Sequence, residues 1–402
     1  MSEKTQIDRT RTLMLCPSVG VWQIGEELYF DRKFYVGVLS YIRDWPGSFR
    51  LAIRRVKTAP PQFGLVQYKA DIFPARVAIM ESDEVIDSSL LDGVDIVLAS
   101  GDSFDNLHLA ALCRQRGIKC IYVIEYTIKT RLQIAALSGT KIWRKLKSMV
   151  WLMLKERERL RAFRLSDGLQ ANGVPAYDAY SALVPNALLY FDTRNSASMG
   201  ITDTALASRL TYLDKGAPLR LGFSGRLNSM KGADHLVEIA YQLQKRQVHF
   251  TFDIFGTGDL LPQLQDKVKM YGLDSIVRLR GAVDYSNELV PFIKENLDLF
   301  VCCHRQGDPS CTYLETYACG IPIVGYNNQA HQGILASQDV GWGVAMNDIK
   351  GLVDLIVSLD SRRDDIKEKS LNAACFAREH TFESTFKRRI SQCVQILHKD
   401  SL

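Results

Sequence analysis

Residues 219–236 read LRLGFSGRLNSMKGADHL, and their reading decides the fold. The apolar alternation of LRLGFSG predicts a buried strand, and Gly225 allows a tight turn at its end. Arg226 and Lys231 then stand five residues apart around a loop, and Gly232 lets another backbone come close before a helical pattern begins. A strand feeding a helix through a glycine turn is the unit of a doubly wound parallel sheet. Two cations converging there suit a diphosphate, since Arg binds it bidentately and Lys acts as a point charge. The alternative reading is a pair of solvated loop cations.

The same alternation extends in both directions. Residues 11–18, 77–80, 94–100 and 118–126 form one series of strand-like runs, and 219–225, 249–256, 275–281, 297–303, 321–326 and 341–346 form a second. Helix-like segments separate most of them, which implies parallel sheets covered on both faces. The polar, weakly periodic stretch 192–218 reads as a linker. The expected architecture is α/β: two doubly wound Rossmann-like domains, residues 1–200 and 201–379, facing each other across a cleft. Residues 380–399 read as an amphipathic helix with no following strand.

Composition agrees with this class. The chain has 402 residues, 47% hydrophobic and 24% charged, enough for two cores of about 200 residues each. Its nine cysteines form no C-x-x-C pair, and several sit inside apolar runs, the habit of a reducing compartment. No signal-like opening and no membrane-spanning apolar run is found, so a cytoplasmic protein is expected. The net charge is +5, but residues 141–164 hold nine Lys/Arg against two Glu, which leaves −2 over the rest. No nucleic-acid partner is expected.

A second anion-site candidate lies in HRQGDPSCTYLETYACGIPI, residues 304–323. Asp308 as N-cap and Pro309 at the first helical position predict a helix start, with Gly320 and Pro322 ending it. The N–H groups of Ser310, Cys311 and Thr312 would then face a phosphate at a strand's carboxyl end. Glu315 stands on that helix beside Leu314 and Ala318, either in a structural ion pair or in a binding role.

Taken together, GRLNSMKG, FGTGDLLPQL (255–264), RGAVDYSNEL (280–289) and LETYACGIPIV (314–324) resemble, in order and spacing, the retaining glycosyltransferases of family GT4, which have the GT-B fold. The resemblance is detailed over the second half of the chain and holds only in outline over the first. It implies that Arg226 and Lys231 hold a donor pyrophosphate, that Glu315 accepts hydrogen bonds from the nucleotide ribose, and that Gly281, Ala282 and Val283 face the base. Gly225, Gly232, Gly256, Gly258, Gly307, Asp308, Ser310, Cys311 and Thr312 complete the implied donor side, with Arg226, Lys231 and Glu315 as the catalytic group. The donor would be a nucleotide-diphosphate sugar, the acceptor a hydroxyl of a glycan or lipid-linked molecule, and the setting bacterial cell-surface polysaccharide synthesis. No cofactor is implied. No Asp-x-Asp occurs in the sequence, in keeping with a metal-independent enzyme. The resemblance also implies that the C-terminal helix, within residues 380–402, crosses back to the first domain.

Two positions depart from the family. Its frequent Glu-x7-Glu would place a carboxylate at 307, where this chain has Gly307; backbone there, or His304 or Arg305, would have to hold the sugar. In the first domain, where Gly20 and Glu125 mark the acceptor side, Glu125 replaces a frequent His and reads either as an acceptor contact or as a surface loop residue. The missing carboxylate motivates an alternative, a non-catalytic GT-B subunit that binds nucleotide or glycan beside a partner enzyme. His304 and His331 show no metal-ligand spacing. Gly256 and Gly258 lack the third glycine of a dinucleotide fingerprint.

Residues 141–164, KIWRKLKSMVWLMLKERERLRAFR, carry Ile142, Leu146, Met149, Val150 and Met153 at helical spacing, with Trp143 and Trp151 near the Lys/Arg cluster. Either the apolar stripe enters the core, or it lies on an inner membrane surface, where each nearby cation contributes about 1 kcal/mol.

Overall fold

A computed structural model describes residues 11–60, 64–69, 73–137, 141–214 and 216–398. The chain divides into two compact units, one running to Tyr190 and resuming at Glu383, the other Phe191–Phe382.

The first unit contains β1 (Thr12–Cys16), β2 (Trp22–Ile24), β3 (Glu27–Asp31), β4 (Ser48–Arg54), β5 (Leu65–Lys69), β6 (Arg76–Met80), β7 (Ile96–Ser100), β8 (Lys119–Ile124), β9 (Gly168–Asn172) and β10 (Ala187–Tyr190). Seven of these form a sheet in the order β10-β9-β8-β7-β1-β4-β6, parallel throughout. Every residue of β1, β7 and β9 is buried, as expected for strands covered on both faces. β2, β3 and β5 form a separate antiparallel sheet. The sequence reading missed β4, β9, β10 and this small sheet.

The second unit contains β11 (Leu219–Ser224), β12 (Phe250–Phe255), β13 (Val277–Gly281), β14 (Leu299–Cys302), β15 (Ile323–Tyr326) and β16 (Gly341–Val344), each at a position read from the sequence. Their order is β13-β12-β11-β14-β15-β16, again parallel. Counted along the chain this is 3-2-1-4-5-6, the doubly wound order whose direction of winding reverses between the first and fourth strands. Loops leaving β11 and β14 therefore flank a ready-made ligand position.

The stretch 192–218 is not an irregular linker. It holds the helix Asp203–Asp214, whose buried Leu206 packs with Ile201 and Ala374 inside the second unit. Leu206, Leu210 and Leu213 recur there at helical spacing, a signal that the linker reading passed over. At the end of the chain, Phe382–His398 is helical; the predicted end at 399 lies outside the described residues. Arg389 Nε donates to Gln170 Oε1 at 2.8 Å, Gln170 Nε2 donates to the Arg389 carbonyl at 3.0 Å, and Phe386 meets Tyr41 edge-on. These contacts tie the helix to the first unit.

The basic segment is one helix, Ile142–Leu165. Leu152, Glu156, Arg159, Ala162 and Phe163 face the core, while Ile142, Leu146, Val150 and Met153 are 72%, 59%, 53% and 50% exposed. Four residues of the stripe read from the sequence thus point outward, while Met149 is half-buried. Among the described residues no helix is long and apolar enough to cross a membrane.

Candidate functional site

The site grows from the carboxyl edge of the second sheet. After β11, Asn228 Oδ1 accepts the Lys231 N–H at 3.0 Å and caps a single turn, Ser229–Lys231. Gly232 closes it at φ 65°, and a Cβ there would lie 2.0 Å from the Cys303 carbonyl oxygen, so only glycine lets this loop lie against the end of β14. Gly256, at φ 127°, does the same for the next loop: its Cβ would fall 1.9 Å from the Gly225 carbonyl oxygen, and its N–H donates to the Gly281 carbonyl at 2.7 Å. Gly225, Gly256, Gly258 and Gly281 are thereby brought onto one edge, with Ala282 and Val283 following directly.

Arg305 locks the first loop to the second. Its guanidinium donates to both Asp234 oxygens at 2.8 and 2.7 Å, to the Ser229 carbonyl at 2.6 Å and to Asn347 Oδ1 at 2.8 Å. It also meets His235 Nε2 at 2.7 Å, so that nitrogen accepts and the ring is neutral; burial and Arg305 both lower the His235 pKa. Arg305 is a structural clamp, and its proposed service toward a sugar is corrected.

Lys231 is nearly buried. Its Nζ lies 3.4 Å from Ser310 Oγ and 4.0 Å from Asp308 Oδ2. Asp308 is not the helix cap expected from the sequence. The helix spans Thr312–Ala318, begins after Cys311 and has no side-chain cap, and the Ser310 N–H is taken by the Asp308 carbonyl at 2.9 Å. The Asp308 carboxylate lies toward Lys231 instead. Burial raises its pKa, with Lys231 first and Arg226 behind it among the charges that oppose the rise. A 4.0 Å contact is too long to offset the lost hydration. Arg226 is exposed beside this group. The arrangement holds two cations at the β11 edge, with a carboxylate beside them that only weakly engages Lys231.

Glu315 is already engaged. Arg194 binds it bidentately, Nε to Oε1 at 2.7 Å and Nη2 to Oε2 at 2.8 Å, and the guanidinium lies 3.9 Å over the Tyr285 ring. Tyr285 Oη donates to Asn195 Oδ1 at 2.6 Å, and Asn195 Nδ2 donates to the Leu314 carbonyl at 3.2 Å. A carboxylate offers about four lone-pair positions, so two stay open toward hydroxyl donors. The sequence reading missed Arg194 and Asn195 because they lie in the supposed linker. Tyr285 stood inside a recognised motif, where an aromatic in a polar loop was the available signal.

Gly307 has a packing explanation. A Cβ there would meet Gln329 Oε1 at 3.0 Å and Gln329 Cβ at 3.3 Å, so Gln329 fills the room that a side chain at 307 would need. His304 and His331 are fully buried. Neither His304 ring nitrogen has a partner among the described residues, and burial, then Lys231 and His331, push its pKa well below the usual value. Burial lowers His331 to about 4.

In the first unit, Glu125 follows β8. Its N–H donates to Asp102 Oδ2 at 2.9 Å, and its own Oε2 accepts from Asn172 Nδ2 at 3.3 Å. Gly20 packs against the exit of β4, where a Cβ would lie 2.4 Å from Val56 Cγ2. Among the described residues no group of three or more His, Cys, Asp or Glu could hold a metal ion.

Residues 218–361 match the family model for glycosyl transferases group 1. This region is similar to the glycosyl transferases group 1 family. It contains β11 to β16 and all the donor-side residues above. The putative colanic acid biosynthesis glycosyltransferase WcaL of Escherichia coli K12 is 24% identical over 206 residues, half of each chain. The match therefore spans about half the length of that relative. Among solved structures, Anabaena HepE in complex with UDP superposes with TM-score 0.62 at 14% identity, over 96% of this chain and 99% of that one. Sucrose-phosphate synthase of Thermosynechococcus elongatus gives 0.65 at 13% identity, over 97% and 100%. The fold is GT-B.

Proposed function

We infer that the chain is a glycosyltransferase that moves a sugar from a nucleotide-diphosphate sugar to a hydroxyl of a glycan or lipid-linked acceptor. One observation carries the reading: nearly buried Lys231 and exposed Arg226 stand where the winding of the second sheet reverses, with the Lys231 ammonium only loosely paired to Asp308 and Ser310. A diphosphate there would gain charge-assisted bonds that the present partners do not supply. The UDP bound by the Anabaena neighbour supports a nucleoside diphosphate as leaving group. The two open positions on Glu315 suit ribose hydroxyls.

Transfer with retention and without a divalent metal is part of the proposal. Developing charge on the leaving diphosphate would be met by Arg226 and Lys231. The name of WcaL supports a surface polysaccharide as the setting. Nine free cysteines, most of them buried, support a reducing, cytoplasmic location on the side where lipid-linked acceptors are built.

The test is release of nucleoside diphosphate from a panel of sugar nucleotides with wild type and Arg226→Ala. Release that falls at least tenfold in the variant is expected. Equal background release from both would contradict catalysis and leave the alternative of a nucleotide-binding subunit.

A further inference from the structure

The helix Ile142–Leu165 has two outward halves of different chemistry. At 3.6 residues per turn, Ile142, Leu146, Val150 and Met153 share one side with Arg157, Arg161 and Arg164. The residues that enter the core, Leu152, Glu156, Arg159 and Phe163, lie on the other side. The outward side is therefore apolar over its first half and cationic over its second.

The apolar half is not an ordinary scatter of exposed side chains. Eight of the sixteen large apolar residues exposed among the described residues lie on this helix, Trp143 and Trp151 among them at 56% and 47%. A concentration of this kind marks an interaction surface. Several of the cations make no ion pair among the described residues, although Arg144 lies 5.1 Å over the Trp143 ring and Lys145 Nζ donates to the Ala136 carbonyl at 2.7 Å. Among the described residues no salt bridge engages Arg144, Lys147, Arg157, Arg161 or Arg164, while the one exposed acid, Glu158, is paired to Lys155 at 2.7 Å.

We propose that this helix docks the protein on an anionic lipid surface, its first half entering the acyl boundary and its arginine half lying among phosphate headgroups. Apolar side chains with tryptophan supply the buried area, and unpaired cations supply the charge complementarity to anionic lipid. A protein partner or a second copy would need its own acidic patch beside an apolar groove. A bilayer interface presents both chemistries side by side. The helix belongs to the first unit and the donor-side residues to the second, so either assignment can fail without the other.

The test uses the full chain and vesicles of phosphatidylglycerol with phosphatidylethanolamine, against vesicles of phosphatidylcholine. Co-sedimentation with the anionic vesicles is expected to exceed that with phosphatidylcholine at least tenfold, and to fall several-fold at high salt as the Debye length shrinks. Leu146→Ser with Val150→Ser, and separately Arg157→Glu with Arg161→Glu, each reduce binding at least fivefold. Tryptophan emission shifts to the blue on anionic vesicles in the wild type and not in the first variant. All four substituted positions are exposed, so unchanged melting and UDP affinity should accompany the loss. Absence of vesicle binding, or equal binding by wild type and both variants, overturns the proposal. A concentration-dependent dimer abolished by the Leu146/Val150 variant, without vesicle binding, would assign the face to a second copy and also overturn it.

Discussion

The two units wind their sheets alike, in the order 3-2-1-4-5-6 with a seventh strand added in the first, yet the loops at their carboxyl edges hold different chemistry. In the second unit the loops are pressed together by glycine, and the charged groups face the edge: Arg226 and Lys231 near Asp308, Glu315 held by Arg194. In the first unit the corresponding loop after β7 spends its charge internally. Asp102 accepts the N–H groups of Glu125 and Tyr126 at 2.9 and 3.1 Å and binds Arg131 at 2.7 Å, which fixes the end of β8 and the helix after it. Topology places a ligand position in both sheets, and only side-chain commitments decide which one suits a diphosphate.

The comparison breaks most readily at the glycine contacts. Gly256→Val should destabilise the second unit by more than about 3 kcal/mol, because both φ and the Gly225 carbonyl forbid a side chain. Gly117→Ala, also at positive φ but with nothing within 4 Å, should cost only about 1–2 kcal/mol. Urea unfolding measures both, and similar losses would remove the argument for a glycine-tight edge. The carboxylates sharpen the contrast further. Asp102→Asn and Glu315→Gln should each lower stability by about 1–3 kcal/mol, but only Glu315→Gln should also weaken UDP binding in a titration.

A further effect is expected in acid. His304 and His331 are held neutral by burial while the unfolded chain protonates near pH 6.5, so the unfolded state binds more protons below that value. Stability present above pH 6.5 is lost as pH falls toward about 4, where His331 titrates in the folded state. His304→Phe, which removes two unpartnered nitrogens from a site lined by Phe223 and Tyr313, should flatten that acid limb by up to ~1.4 kcal/mol per pH unit. Melting temperature against pH shows it, and an unchanged slope would mean that His304 finds a partner or protonates in the fold.

The second sheet was legible in the sequence because its strands are short, apolar and punctuated by glycine. Much of the first was not: β4, SFRLAIR, alternates arginine with apolar residues, and β9, GLQAN, contains two amides that bond within the fold. At the site, the cations and Glu315 were legible as residue types at informative spacing. Their partners were not, since Arg194 lies 121 residues from Glu315, and no local pattern announces a contact made only by folding. Asp308 misled because Asp-Pro is a strong helix-start signal, yet the helix begins only after Cys311, with no side-chain cap. Gly307 looked like a missing carboxylate and is a position whose space Gln329 fills.

Calorimetric titration of UDP into wild type and Lys231→Ala tests the central claim most directly. Loss of a charge-assisted phosphate contact at a nearly buried lysine should weaken binding by roughly 10- to 100-fold, about 1.5–3 kcal/mol. Arg131→Ala, which alters the first unit, should leave the affinity within about twofold. Equal affinity for wild type and Lys231→Ala, or a larger loss from Arg131→Ala, would contradict the assignment of the nucleotide to the β11–β14 edge.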